Sequence, residues 1–317
     1  MFNRVLRFTM LLPGLLTLLW IDPALATDVP RKQVALIAGP ATHTFGEHEH
    51  YAGLKLLADL LNESVPAVQV TVYKGWPDDP HALTNVAAVL VYADGGPDSL
   101  LVSLLSRLEP IVARGAGLGV MHWALDVPKG EAGNRLIEWI GACYETNWSV
   151  NLSWKATFEK MPEHPVTRGV RPFSLHDEWY SHMRFRDGMQ GVTPLLTAVP
   201  PDAVHEGDDG PHSGNPVMRA RKGQPEHVSW AFERTGGGRG FGFSGGHKQW
   251  NWAHDDFRKL VLNAIVWLAG IDVPVGGVET RRPDTKRLLM NFGKPVPSRI
   301  NFERFDKMLN DLNTPNS

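Results

Sequence analysis

Three histidines in this chain each follow a short apolar run that reads as a buried β-strand. His43 comes after residues 34–38, His122 after residues 117–121, and His247 after residues 241–246. In an open parallel α/β sheet the carboxyl ends of the strands form the ligand crevice. Segments far apart in sequence then deliver imidazoles to one place. Imidazole is the common metal ligand and the common general base near neutral pH. The first histidine opens a denser cluster, residues 42–50, which holds His43, His48 and His50 together with Glu47 and Glu49. Such a set can hold a divalent metal. Its spacing matches no standard zinc signature, and His48 and His50 do not share a helix face. The competing reading is a polar loop in which Glu47 or His48 caps the following helix. His43 is the best placed of the three by its position just past the strand.

The other candidates follow the same logic. His122 sits at a strand-to-helix turn, where α/β hydrolases and amidotransferases put Ser or Cys. A nucleophilic mechanism there lacks its nucleophile, whereas an imidazole can bind metal or move protons. In His176-Asp177-Glu178-Trp179-Tyr180 the adjacent carboxylates point in different directions, so at most one of them faces the site. Small residues before His247 let the backbone approach a ligand closely. The Gly-rich stretch 236–240 lacks the GxxxxGK[ST] order and no helix follows it, so it reads as a hairpin turn. Cys143, the only cysteine, lies at or just after a helix and away from the strand ends. It reads as an inert buried thiol.

The elements that position these residues alternate. Strands are expected at residues 33–40, 68–73, 87–92 and 117–121, and helices at 50–62, 97–113 and 131–140. This is the pattern of a doubly wound parallel sheet. Residues 151–160, 195–199, 216–221 and 227–233 read as strands without intervening helices, as antiparallel additions to the same sheet or a small flap. A Gly-rich strand at 239–244 and a helix at 255–269, capped by Asp255 or Asp256, complete the domain. Residues 273–317 are Pro- and Gly-rich and basic, and read as an extended tail with at most one short helix.

The N-terminus carries Arg4 and Arg7, an apolar stretch over residues 8–21, and Ala24-Leu25-Ala26. This is a signal-peptide pattern with cleavage after Ala26. The expected destination is the periplasm or the exterior, with no membrane attachment after cleavage, because no later stretch is long enough to span a bilayer. The division is then 1–26 signal peptide, 27–272 α/β domain and 273–317 tail. The formal net charge of −2 argues against nucleic acid as partner. Several of the eleven tryptophans lie in loops beside His and Asp, where an indole could stack on a sugar ring.

Taken together, His43, His48-Glu49-His50, the helix from Ala52 to Asn62, Gly119-Val120-Met121-His122, the stretch from His164 to Gly169, Asp177 to Tyr180, and Gly245-Gly246-His247 resemble the ThuA-like (trehalose utilisation) family. The match runs from about residue 33 to 270 and leaves the tail outside. The resemblance implies a flavodoxin-like, class I glutamine amidotransferase-like sheet in which His122 replaces the amidotransferase cysteine. It also implies a role in sugar catabolism beside oxidoreductases that make 3-keto sugars, as a lyase, hydrolase or isomerase. A C3 carbonyl acidifies the C2 proton, and a divalent ion, zinc or similar, suits an enediolate. The expected metal ligands are His43, His122, Glu178 and His247. The expected catalytic groups are His50, His122, His247 and Asp177. The expected partner is a small-molecule sugar, with a homo-oligomer left open. The alternative is a non-catalytic carbohydrate-binding protein on the same fold.

Overall fold

The computed structural model describes residues 30–298 and 300–314. The signal segment expected at residues 1–26 lies outside them. The first half alternates as β1 (Lys32–Ala38), α1 (His50–Ser64), β2 (Val68–Lys74), β3 (Ala88–Tyr92), α2 (Leu100–Ala113), β4 (Gly117–Met121) and α3 (Glu131–Ile140). The middle is strand-rich, with β5 (Ala142–Cys143), β6 (Ser153–Phe158), β7 (Phe173–Glu178), β8 (Arg184–Phe185) and β9 (Val192–Ala198). The one-turn helix α4 (Pro216–Arg219), β10 (Glu226–Glu233) and β11 (Arg239–Phe243) follow, and then α5 (Asp255–Leu268), α6 (Thr285–Leu289) and α7 (Phe302–Asp311).

The central sheet has the order β2-β1-β3-β4-β11-β10-β9. Its first five strands are parallel, and β10 runs antiparallel to both neighbours. Counted along the chain, the parallel strands follow the flavodoxin-like order 2-1-3-4-5, whose switch point lies between β1 and β3. Strand side chains alternate between two cores. Val34, Leu36 and Leu90 pack with Leu54, Leu57 and Leu61 of α1 and with α5. Ala35, Ile37, Val89 and Val91 pack with Leu101, Leu104 and Leu108 of α2 and with Leu136 of α3. Burial on both faces is why these strands are continuous apolar runs. Gly117 is required by proximity, since a Cβ there would stand 2.3 Å from the Leu268 carbonyl oxygen. The glycine lets the end of α5 press against the sheet.

β6 pairs with β7 as a separate two-stranded sheet, the small flap of the sequence expectation, and β7, not expected as a strand, carries the Asp177-Glu178 pair. Three other features differ from the sequence expectation. Residues 216–219 are helical, because Asn215 accepts a hydrogen bond from Met218 N at 2.9 Å and Pro216 fills the first helical position. The cap of α5 is His254, whose Nδ1 accepts from Phe257 N at 3.4 Å. Asp255 instead pairs with Arg258 and Arg282. The expected extended tail contains two helices. Leu288 and Leu309 are buried, and the Asn313 side chain donates to the Ala253 carbonyl at 3.0 Å. Asn301 caps α7, and Phe305, Met308 and Leu312 turn one side of it toward the core. No helix among the described residues is long and apolar enough to cross a membrane.

Candidate metal centre

The carboxyl ends of β1, β3, β4, β7 and β11 meet at one point. β4 ends at Met121 in extended conformation, and His122 then takes the left-handed conformation, φ 56°, to begin a 3₁₀ turn. This drives its ring into the core, where it is fully buried. Its Nδ1 lies 2.8 Å from the Ser244 carbonyl oxygen. A carbonyl only accepts, so Nδ1 carries the hydrogen and Nε2 is bare.

The loop after β1 uses the same device twice, with φ 60° at His43 and 49° at His48. Left-handed non-glycine residues cost about 1 kcal/mol or more each and gather at functional sites. Gly46, φ 82°, faces the Trp250 ring, and a Cβ there would fall 1.9 Å from a ring carbon. His48 turns inward and is buried. Its Nδ1 stands 2.6 Å from Asp94 Oδ1, just past β3. Burial raises the Asp94 carboxyl, but hydrogen bonds from His48 and Thr42 outweigh it and hold the group below the usual carboxylate range. The carboxylate therefore accepts the Nδ1 hydrogen, and His48 Nε2 turns toward the other two histidines.

His247 follows β11. Its Nε2 is 3.4 Å from Glu47 Oε1, and its Nδ1 faces the others. His48 Nε2 lies 3.0 Å from His247 Nδ1 and 3.1 Å from His122 Nε2. Glu178, at the end of β7, brings Oε2 to 3.5 Å from His122 Nε2 and 3.7 Å from His247 Nδ1. Four ligands on a tetrahedron with bonds of about 2.0–2.1 Å stand about 3.3 Å apart, and these separations bracket that edge. His122 and His247 both turn a bare nitrogen to His48 Nε2, where one N–H can fully satisfy only one of them, whereas a cation between the three would satisfy all at once. The outer ring nitrogens of His48, His122 and His247 each face an oxygen acceptor, the arrangement that fixes metal-ligating histidines. The donor set fits a divalent ion.

Burial, followed by the neighbouring His48, pushes His247 down to about 4 and His122 well below the ordinary imidazole range, so both are neutral at pH 7. Burial, reinforced by Asp177, pushes the Glu178 carboxyl up to about 8.

Of the expected site residues, His122, His247 and Glu178 stand together in one group with His48, and His43 falls in a second group with His48 and Asp94. His43 is exposed and stacked on the His48 ring, with centroids 3.6 Å apart. His50 is buried behind the cluster. Its Nδ1 donates to the Pro40 carbonyl at 2.8 Å, and its Nε2 faces Asp94 at 3.5 Å. Asp177, expected as a catalytic group, is fully buried and turned to the backbone. It accepts from Gly246 N at 2.9 Å, His247 N at 3.1 Å, Glu178 N at 2.8 Å and Asn251 Nδ2 at 3.0 Å. Four protein donors leave it no lone pair for a ligand, and its work is to hold the His247 turn. Asp94 was missed. The rule that found the histidines, a polar residue just past a buried strand, also applies to it.

Trp179 and Trp252 are fully buried in the core, while half-buried Trp123 edges the His43 and His48 rings at 5.7 and 5.8 Å. Cys143 is buried on β5, and burial pushes its thiol up to about 12. Cys143→Ser is expected to leave turnover within about twofold of the parent, since the thiolate is the nucleophilic form. Initial rates beside a melting curve check this, and complete loss of turnover in a folded variant would contradict it.

A family model described as ThuA, trehalose utilisation, matches residues 36–268. A ThuA-like protein of Bacteroides uniformis is similar in structure at 15% identity and TM-score 0.53, covering 79% of this chain and 96% of its own. A ThuA-like protein of Parabacteroides merdae aligns at 16% identity and TM-score 0.51, covering 80% and 98%. At these identities the likeness is one of fold. A search of curated proteins finds no match to this chain.

Proposed function

The chain belongs to the ThuA family, the trehalose-utilisation proteins, and on that premise we propose that it is a metal-dependent enzyme of carbohydrate catabolism that cleaves or rearranges 3-keto glycosides by removing the C2 proton. The observation that carries the reading is the convergence of three imidazole nitrogens and one carboxyl group on a point, at near-tetrahedral spacing. His48, His122, Glu178 and His247 would hold a divalent ion, which would supply Lewis acidity toward a sugar carbonyl and hydroxyl. The remaining chemistry falls to the chain itself. His43 is exposed beside the cluster, and burial followed by His48 lowers its pKa, so it is a neutral base at pH 7. Thr42 Oγ1, 2.9 Å from its Nδ1, orients the ring. When His43 takes the C2 proton, the C–H pair forms the C2–C3 double bond and the carbonyl π pair moves onto the C3 oxygen; its return would form the C1–C2 double bond and expel the C1 substituent, which takes back a proton from His43 or water. Asp94 and Glu47 keep the His48 and His247 rings turned. Trp123 forms one wall for the sugar.

The test is elemental analysis of the purified mature protein with an assay on a 3-keto glucoside before and after chelation. About one divalent ion per chain is expected, as in single-ion hydrolytic sites. Turnover should vanish on chelation and return with the ion. Full turnover in metal-free protein would overturn the reading. Bound but unconverted sugar would leave a carbohydrate-binding protein. The pH dependence has a defined sign. In the metal-free protein Glu178 holds a proton below about 8, and a ligand must be ionised. Metal uptake at pH 7 should therefore release about one proton, and affinity should rise with pH up to about 8 and then level. Calorimetry in buffers of different ionisation enthalpy measures this, and Glu178→Gln should abolish the release.

A further inference from the structure

The segment after α5 lies beyond the family match, yet it touches both loops that carry the donor histidines. The buried Glu49 carboxylate, next to His48, accepts a hydrogen bond from Gly293 N at 2.8 Å. The Phe292 ring meets the Phe45 ring at 5.2 Å. Gly293 runs so close to the β1–α1 loop that a Cβ there would stand 2.4 Å from Ala41 Cβ. On the second loop, the Gln249 side chain donates to the Leu288 carbonyl at 3.1 Å, while its backbone N donates to the Gly46 carbonyl at 2.9 Å. Phe305 of α7 edges Trp250, the ring against which Gly46 is pressed. The segment is itself anchored by the buried Leu288 and by Arg287, 2.6 Å from Glu63 of α1.

We infer that residues 288–293 are a clamp that positions His48, with Phe292 and Gly293 as positioning residues for the donor cluster. The inference rests on the metal reading above. His48 sits in a left-handed conformation, which persists only where the surroundings over-determine it. Asp94 fixes the ring, and His48 N donates to the His247 carbonyl at 3.1 Å. The stretch just before α1 is fixed from the other side by Gly293 through Glu49.

The test uses the full mature protein and cobalt(II) as probe, with affinity measured by chelator competition and geometry read from the visible absorption. Glu49→Ala and Gly293→Val should bind cobalt about 10–100-fold more weakly, the range of outer-shell losses, with weakened tetrahedral absorption. Glu49→Gln keeps an acceptor oxygen for Gly293 N and should rescue both. Phe302→Ala, at an exposed position of α7, should change neither. In metal-free protein, hydrogen exchange over residues 41–49 should quicken in the two damaging variants. Parent-like cobalt binding and exchange in both would overturn the clamp. A parent protein that takes up no cobalt would defeat the metal reading, and the exchange data alone would then decide whether the clamp orders this loop.

Discussion

Replacing His48 with alanine is expected to strip the ion, while His43→Ala keeps it bound and loses turnover. The two residues are five apart in one loop and their rings are stacked, so they separate two models of the site. His48 presents Nε2 about 3 Å from two other imidazoles, so on the proposed metal reading its loss removes a ligand. Affinity should fall by more than the roughly 10–100-fold typical of outer-shell changes. His43 lies on the exposed side of that ring. Its loss removes a base, and turnover should drop about 10²–10⁴-fold, the usual contribution of general acid–base catalysis. Metal titration and initial rates on the same preparations measure both effects. If His43→Ala released the ion and His48→Ala retained it, the ligand assignment would be wrong.

Asp177→Ala should destabilise the metal-free protein by about 3–5 kcal/mol, the partly additive cost of four buried donors left without their acceptor. Three backbone N–H groups and the Asn251 amide lose their acceptor at once. Each buried donor left unpaired costs about 1–3 kcal/mol, with only partial additivity. At roughly 2–4 °C per kcal/mol for a chain of this size, the melting temperature should fall by about 10 °C. Asn at this position supplies one acceptor oxygen in place of two and should recover part of the loss. An unchanged melting temperature with turnover abolished would return Asp177 to the catalytic machinery.

Much of this was legible in the sequence, because burial on two faces leaves a simple mark. The strands at Ala38, Tyr92 and Met121 each finish in an unbroken run of five apolar or small residues, and their order with the helices predicts the crevice. The choice between His43 and His48 was not legible. It depends on two left-handed residues and on Gly46 beneath Trp250, and ring direction in such a loop follows from contacts with residues two hundred positions away. Asp94 was hidden because an Asp before two glycines also reads as a turn. Asp177 and Glu178 illustrate the period of a strand. On β7 they face opposite ways, and the sequence did not tell which one faced inward. The second tail helix is hard to read because prolines flank α7 on both sides, although Asn301 and four apolar positions mark it.

The four donors come from the ends of four strands, and His48 and His247 are separated by nearly the whole domain. A chain with one cysteine has no internal disulfide. An ion on these donors would be its long-range covalent-like cross-link, closing a loop far longer than most disulfides span, and closure of long loops removes the most freedom from an unfolded chain. Resistance to unfolding would then be set by the free metal concentration around the protein as much as by its core.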